Sequence, residues 1–234
     1  MLDFESFRLA ASTATLDAEP RARELADLLE FRMDLTADPL EQLHTYEGEL
    51  DILVTNRPQW EGGEREETPE RREELLEALS IPAVSAVDLE LRTLESPDKL
   101  TDMVPVLDAA REEDLPIIVS VHDFERAPSR ETLVDFAHRG SQYGTVAKLA
   151  VTPETPDGVL DLLQATHDLT REGLTVASMA MGELGSHTRV VAPVYGSKLG
   201  YAPIETEDAT APGQFDLATL SSLLETFGAR HERI

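Results

Sequence analysis

The sequence contains no cysteine, and this absence excludes disulfide bonds and thiolate chemistry. It also lacks any run of about 18 apolar residues, so we expect no membrane-spanning helix. The first ten residues, MLDFESFRLA, have no basic region followed by an apolar one, which argues against a signal peptide. Together these absences predict a protein that works in the cytoplasm.

Basic residues are scarce: 20 lysines and arginines stand against 46 aspartates and glutamates, and the formal net charge is −26. A field of this sign repels nucleic acid, so we expect no nucleic-acid partner. One interpretation is an acidic surface that aids solubility, and the other is adaptation to a salt-rich cytoplasm. We favour the second interpretation, because the acids lie mostly on predicted outer helix faces such as residues 64–77 and 112–114.

A strand, helix and strand are predicted within residues 115–150. The apolar run 116–121 ends at His122, an amphipathic segment follows, and a second apolar run at 146–151 carries Lys148. In a parallel α/β architecture both side chains face the same end of the sheet. A histidine and a lysine that meet there indicate covalent amine catalysis with an acid/base partner.

The whole chain alternates between predicted strands and helices eight times, without a linker or a repeat. Eight such units in 234 residues predict one (β/α)8 TIM barrel over residues 1–234. A doubly wound open sheet is the alternative, but no GxGxxG follows the first strand. The predicted strands are residues 7–12, 28–34, 50–55, 83–89, 116–121, 146–151, 174–178 and 198–204. The predicted helices outside 115–150 are residues 19–26, 39–49, 69–79, 97–113, 156–171, 185–195 and 216–227.

Charged side chains recur near the carboxyl ends of these strands, where barrel enzymes build their sites. In residues 28–34, Glu30 and Arg32 share one face of the predicted strand. This face points either into a barrel or outward from an edge strand. From this stretch alone, the exposed edge strand is the simpler interpretation. Lys148 is harder to explain structurally, because a charged ammonium is costly in its apolar strand and a neutral amine suits imine formation. The other candidates at these ends are Arg57, Asp88, Glu90, His122 and Met181.

Several short motifs occur in a fixed order along the chain. They are Glu30-Phe31-Arg32-Met33-Asp34, Thr55-Asn56-Arg57, Glu61-Gly62-Gly63, Asp88-Leu89-Glu90, His122-Asp123-Phe124, Ala147-Lys148-Leu149-Ala150, Met179-Ala180-Met181-Gly182, Thr188-Arg189 and Thr210-Ala211-Pro212-Gly213-Gln214. In this order and spacing, the sequence resembles the type I 3-dehydroquinate dehydratase family over nearly its whole length. The resemblance implies a lyase of the shikimate pathway of aromatic amino acid biosynthesis.

The resemblance also implies the catalytic residues. Lys148 would form an imine with the C3 ketone of 3-dehydroquinate, and His122 would remove the C2 proton and help the C1 hydroxyl to leave. This syn elimination would give 3-dehydroshikimate. Glu61 would orient His122.

The remaining site residues follow from the same resemblance. Arg189 would bind the substrate carboxylate through its guanidinium fork. Asp88 and Glu90 would support the site, and Ser12 is a further candidate. Independently of the resemblance, the loop 205–214 is the candidate cover for the substrate, because it is long and polar and carries Gln214. Neither a cofactor nor a metal is implied, and the expected assembly is a homodimer. The residues expected to hold the ring hydroxyls and the carboxylate are Glu30, Arg32, Arg57, Thr210 and Gln214.

Three other functions use some of the same residues. A Schiff-base aldolase or transaldolase would use the same lysine but would need a phosphate cradle in its last loops. A metal-dependent barrel would draw on His122, Asp123, Asp88 and Glu90, whose spacing matches no known metal motif. A non-catalytic acidic binding protein would leave the inward lysine, histidine and arginines unexplained.

Molar salt should stabilise the fold, because screening weakens the repulsion among the acidic side chains. The melting temperature, followed by circular dichroism from dilute buffer to molar KCl, should therefore rise with salt. Full stability in dilute buffer would refute the salt-adaptation interpretation.

Overall fold

The computed structural model describes residues 2–95, 102–208 and 213–229. Its eight strands pair in parallel in the order β7-β6-β5-β4-β3-β2-β1-β8. At the remaining seam, the Lys198 backbone N–H donates to the Val176 carbonyl over 2.7 Å. The prediction of a (β/α)8 TIM barrel is therefore confirmed. The strands are β1 (Arg8–Thr13), β2 (Leu28–Arg32), β3 (Asp51–Thr55), β4 (Val84–Glu90), β5 (Ile117–Asp123), β6 (Val146–Val151), β7 (Val176–Ala180) and β8 (Leu199–Pro203).

Within the described ranges, nine α-helices lie between these strands and a tenth follows β8. Five of them carry proline in the first turn, where the missing N–H costs no helical hydrogen bond. Side chains also cap two helices: Ser129 accepts from the Thr132 N–H, and Asp216 accepts from the Thr219 N–H. The helices are α1 (Glu19–Ala22), α2 (Pro39–His44), α3 (Pro69–Leu79), α4 (Leu91–Glu95), α5 (Val104–Glu112), α6 (Arg130–Gly140), α7 (Pro156–Arg171), α8 (Gly182–Gly185), α9 (Thr188–Val191) and α10 (Leu217–Thr226).

Side chains alternate between the inside and the outside of the barrel along every strand. The lower inward positions form one apolar cluster, which includes Leu28, Leu53, Ala86, Ile118 and Val146. Outward side chains such as Leu29 and Phe31 pack in a second cluster with the helices. The upper inward positions, two residues further along the same strands, are polar. They are Glu30, Thr55, Asp88, Ser120 and Lys148.

This alternation shows whether the charged face of residues 28–34 points into the barrel or away from it. Glu30 is 4% exposed and Arg32 is 8% exposed, so both side chains lie inside the barrel. The interpretation of β2 as an edge strand is wrong, because β2 pairs with both β1 and β3.

The amino-terminal residues close the bottom of the barrel. Leu2 and Phe4 are buried and join the apolar cluster inside the strands. The Lys198 ammonium holds this segment by donating to the Glu5 carbonyl over 2.6 Å. The opposite end, where the strands finish, is therefore the open one.

Several predicted helices differ from the observed ones. The predicted helices 19–26 and 39–49 end early, at Ala22 and His44. The single predicted helix 185–195 is instead α9 followed by a 3-10 turn, Ala192–Tyr195, and α8 lies before it. Helix α4 was not predicted. The predicted helix 97–113 starts at Val104 as far as the described residues extend, since residues 97–101 lie outside them.

The other short helices are 3-10 turns. They are Leu16–Ala18, Met33–Leu35, Gln59–Glu61 and Thr206–Asp208. Among the helices that the structure describes, none has both the length and the apolar character needed to cross a membrane.

Candidate active site

A cavity of about 530 Å³ opens at the carboxyl end of the strands. Its apolar wall includes Met179, Met181 and Phe124, and the Phe124 ring stacks on that of His122 with centroids 6.0 Å apart. The cavity is lined by both apolar and charged side chains, as small-molecule sites are. Eight of the nine predicted catalytic and binding residues line it. They are Glu30, Arg32, Arg57, Glu61, His122, Lys148, Arg189 and Gln214.

Lys148 projects from β6 into the floor of this cavity. Its Nζ lies 3.1 Å from Asp88 Oδ2 and 3.9 Å from Glu30 Oε1. The same Nζ lies 4.1 Å from the centroid of the Tyr201 ring, which adds a cation–π contact. The ammonium is thus compensated by two carboxylates, although its strand neighbours are apolar as expected.

Glu30 is held by hydroxyl groups from the adjacent strands. Ser12 on β1 donates to Glu30 Oε2, and Thr55 on β3 donates to Oε1 over 3.2 Å. The structure therefore places Ser12 behind Glu30, outside the set of residues that line the cavity. These contacts fix a carboxylate whose other neighbour is the Lys148 amine.

Arg57 connects the acidic residues around the amine. Its guanidinium contacts Asp88 Oδ2 at 2.8 Å, Glu90 Oε1 at 3.0 Å and Ser120 Oγ at 2.6 Å. A fourth contact, to Glu61 Oε2, is longer at 3.8 Å. Burial acts to raise the pKa of Asp88, but Arg57 and Lys148 outweigh it and hold that pKa well below its usual range. Asp88 is therefore a permanent anion beside the lysine.

Helix α3 supports this arrangement from outside the barrel. Arg71 is fully buried; its Nη2 donates to Glu90 Oε2 and its Nε donates to the Asn56 carbonyl, both over 2.6 Å. The Asn56 side chain in turn donates to Glu74 of α3 over 2.9 Å. The motif Thr55-Asn56-Arg57 thus ties the end of β3 both to the cavity and to a helix.

His122 and Glu61 form the acid/base pair of the cavity. Glu61 Oε1 accepts from the His122 backbone N–H over 2.8 Å and lies 3.2 Å from the ring nitrogen Nδ1. Burial, together with the positive charges of Arg57 and Lys148, holds the pKa of His122 well below its usual range. Burial also raises the pKa of Glu61 to about 8. At neutral pH the imidazole is therefore neutral and able to accept a proton.

Two glycines allow Glu61 to reach this position. Gly62 has a φ of +79°, in the left-handed region that favours glycine, and a Cβ there would lie 2.3 Å from the Phe124 ring. A Cβ on Gly63 would lie 2.0 Å from the Arg57 carbonyl oxygen. The motif Glu61-Gly62-Gly63 is thus a backbone requirement of the site.

The two other arginines of the cavity differ in their partners. Arg32 makes a paired contact with Asp34, at 2.8 Å from Nε and 2.6 Å from Nη2. Arg189 instead donates from Nε to the Gly213 carbonyl over 3.2 Å, and no carboxylate of the described residues lies within 4 Å of it. Burial lowers the pKa of Arg189 to about 10, so it stays charged at neutral pH. A buried cation whose described partners include no carboxylate is suited to bind an anionic ligand.

The last loop is described in part. Gln214 lines the cavity, whereas Thr210 lies outside the described residues, as does the segment 209–212 of the predicted cover. Thr188 serves the backbone: its hydroxyl donates to the Gly185 carbonyl and accepts from the Ala180 N–H. It therefore anchors the helix that carries Arg189 to the end of β7.

Sequence reasoning missed three residues of the site. Ser120 links Arg57 to Asp88, to which it donates over 2.7 Å, and its inward position two residues before His122 was a usable signal. Tyr201 lines the cavity, and burial raises the pKa of its hydroxyl well above the usual range. Arg71 gave no signal, because it sits among charged residues of an acidic helix.

The carboxylates that the metal-dependent alternative would use as ligands have other partners in this structure. Asp123 Oδ1 accepts from the backbone N–H groups of Glu125 and Arg126, while Asp88 and Glu90 are paired with arginines. Across the described residues, no three His, Asp or Glu side chains are grouped so that they could hold a metal ion.

Several known proteins are similar to this chain over most of its length. The family model described as type I 3-dehydroquinase matches residues 10–231. The 3-dehydroquinate dehydratase of Haloarcula marismortui is 53% identical over 95% of this chain and 97% of its own. That of Halobacterium salinarum is 47% identical, over 95% and 98%. Both relatives come from halophilic archaea, which fits the acidic composition.

A solved structure extends the comparison to three dimensions. The crystal structure of 3-dehydroquinate dehydratase from Geobacillus kaustophilus HTA426 matches with a TM-score of 0.84 and 29% identity. The match covers 97% of this chain and 93% of that chain.

The raised pKa of Glu61 predicts how the stability of the folded protein depends on pH. The folded protein holds this proton up to about pH 8, whereas an unfolded glutamate releases it near pH 4.5, so the stability due to this group is lost as pH rises between these values. Glu61→Gln should remove that loss. The difference in melting temperature, variant minus wild type, should grow more positive from pH 5 to pH 8.5.

The matched control for this measurement is Glu207→Gln on the exposed surface. His122 titrates in wild type and both variants, so its effect largely cancels from the differences. A Glu61→Gln difference that stays flat across this pH range, like that of the control, would contradict a neutral Glu61.

Proposed function

Because the chain belongs to the type I 3-dehydroquinase family, we propose that it converts 3-dehydroquinate to 3-dehydroshikimate through an imine on Lys148. The main support is that one cavity holds both a lysine amine and a histidine kept neutral by burial and nearby cations. The first can form the imine, and the second can accept the proton that an imine acidifies.

Imine formation begins with deprotonation of Lys148. The ammonium rests between Asp88 and Glu30 and passes a proton to the neutral His122 in the same cavity. The amine then attacks the C3 carbonyl carbon and forms a C–N bond. The resulting carbinolamine hydroxyl takes a proton and leaves as water, which gives the protonated imine.

Elimination then uses His122 twice. Its neutral imidazole removes the C2 proton, and the electron pair moves into the C2–C3 bond to form an enamine. The enamine expels the C1 hydroxyl, which takes the proton from His122 and leaves as water. Because one group serves both steps, the proton and the hydroxyl leave from the same face. Hydrolysis of the conjugated imine releases 3-dehydroshikimate and restores Lys148.

Glu61 acts as a positioning residue for His122. It holds the histidine backbone N–H and faces Nδ1 at 3.2 Å, which leaves Nε2 for the substrate. When the imidazole becomes positively charged, the adjacent carboxyl group stabilises it. The orienting role of Glu61 implied by the resemblance thus has a specific geometric basis.

The charges of the site favour a substrate with one negative charge. With Glu61 protonated, five described cations of the cavity and its support face four other carboxylates, and Arg189 is the cation for which the described side chains supply no carboxylate partner. A single substrate carboxylate balances this excess, whereas a phosphorylated sugar brings two negative charges. The cations are Arg32, Arg57, Arg71, Lys148 and Arg189, and the carboxylates are Glu30, Asp34, Asp88 and Glu90.

Ring contacts divide among the remaining residues of the cavity. Glu30 and Gln214 are proposed to hold substrate hydroxyls, with Thr210 of the last loop. Arg32 and Arg57 are proposed to contribute through N–H groups that their carboxylate partners leave accessible. A role in aromatic amino acid biosynthesis, the single domain, the homodimer and the cytoplasmic location stay predictions.

Reductive trapping tests the imine directly. Borohydride added during turnover of 3-dehydroquinate should fix the substrate to Lys148, and mass mapping of peptides should locate the adduct. The other two lysines of the chain are Lys99 and Lys198, so the assignment is simple. Lys148→Ala should abolish adduct and turnover, while Lys198→Ala should keep both.

His122→Ala separates the two halves of the mechanism. This variant should lose elimination by about two to four orders of magnitude, as expected for removal of a general acid/base, yet still yield some trapped adduct. If Lys148→Ala turned over substrate at a rate close to that of wild type, the covalent mechanism would be refuted.

Arg189→Ala tests the carboxylate site. Loss of a charged hydrogen-bond pair should raise the KM for 3-dehydroquinate by about ten- to a hundredfold, with a smaller change in kcat. The matched control is Arg126→Ala, which removes a guanidinium that is 75% exposed. A KM equal to that of the control would remove Arg189 from the binding site.

A further inference from the structure

Arg71 is the one fully buried arginine of the described residues, and it does not line the cavity. It comes from α3, on the outside of the strands, and reaches inward to Glu90. Burial of a guanidinium is costly unless a charged partner and further hydrogen bonds compensate for it. Here the compensation is Glu90 Oε2 and the Asn56 carbonyl, each at 2.6 Å.

A continuous chain of charged contacts leads from Arg71 to the lysine. Glu90 accepts from Arg71 through one oxygen and from Arg57 through the other, the latter at 3.0 Å. Arg57 contacts Asp88 at 2.8 Å, and the same Asp88 oxygen lies 3.1 Å from Lys148 Nζ. Every link is buried, so solvent screens these interactions weakly.

This chain is balanced in charge. With Glu30, which lies 3.9 Å from Lys148 Nζ, three cations alternate with three carboxylates, and Arg71 is the outermost cation. We infer that Arg71 is a positioning residue that sets the charge balance around the Lys148 amine from outside the cavity. The inference rests on the proposed imine at Lys148. Arg71 does not line the cavity, and it takes no part in the proposed reaction steps.

The groups that face Lys148 decide the direction of the effect. They are Asp88 from β4, Glu30 from β2, His122 from β5 and Tyr201 from β8, with Arg57 behind Asp88. When Arg71 is removed, Arg57 is the remaining arginine that contacts Glu90. Arg57 then offsets the negative charge of Asp88 less completely. The ammonium is then favoured over the neutral amine that must attack the ketone.

The experiment compares imine trapping across pH in the full chain at constant salt. Cyanoborohydride and 3-dehydroquinate are added to wild type, Arg71→Met, Glu90→Gln and the double variant, and the initial rate of adduct formation on Lys148 is measured. Arg71→Met should move the pH midpoint up by about one unit, which is roughly tenfold less adduct on the acidic side. Glu90→Gln should move the midpoint down, and the double variant should return it towards wild type.

A merely structural arginine would lower yield or stability without moving these midpoints. A folded Arg71→Met variant with the wild-type midpoint would therefore overturn the inference, as would a double variant that stays at the Arg71→Met value. If Arg71→Met does not fold, the pH midpoints of Arg71→Lys and Glu90→Gln test the inference instead. The lysine variant should keep a midpoint close to wild type, and an unshifted Glu90→Gln overturns the inference. Absence of any wild-type adduct on Lys148 would instead be the failure of the proposed function.

Discussion

The cost of burying charge inside a barrel is the constraint on which the rest of this structure depends. Asp88 and Glu90 are almost completely inaccessible, and Arg57 joins them at 2.8 and 3.0 Å. A buried carboxylate without a cationic partner is costly, and Arg57 is the cation that these two carboxylates share. Their charges in turn allow an ammonium to rest at Lys148. The strand alternation that buries apolar groups below and polar groups above is what brings these side chains together.

The same constraint separates the cations by function. Arg57, Arg71 and Arg32 have carboxylate partners, so they organise the site. Arg189 has a backbone carbonyl as its described partner, and a ligand carboxylate can complete its hydrogen bonding. A protein with a net charge of −26 thus presents an interior that favours an anion.

Many features of the site could be predicted from the sequence, because strand periodicity and motif spacing are local properties. Lys148, His122 and Glu61 line one cavity, as do Glu30 and Arg32, whose inward direction remained open from their strand alone. Arg57 was expected as a substrate ligand, but its guanidinium is largely occupied by Asp88, Glu90 and Ser120. Pairing of this kind joins residues more than 30 positions apart and leaves no mark on local patterning.

The sequence by itself determined the eightfold alternation of strands and helices, the end of the barrel that carries chemistry, and the family. The first two follow from the order and periodicity of residues along the chain, and the family follows from the resemblance of its ordered motifs to those of a known family. The tertiary structure alone decided which charges pair: Arg71 with Glu90 from a helix outside the barrel, and Ser12 with Glu30 from a neighbouring strand. It also decided that burial raises the pKa of Glu61 and that the described residues supply Arg189 with no carboxylate partner. Burial and distance set these properties, and both arise only when the strands close around one axis.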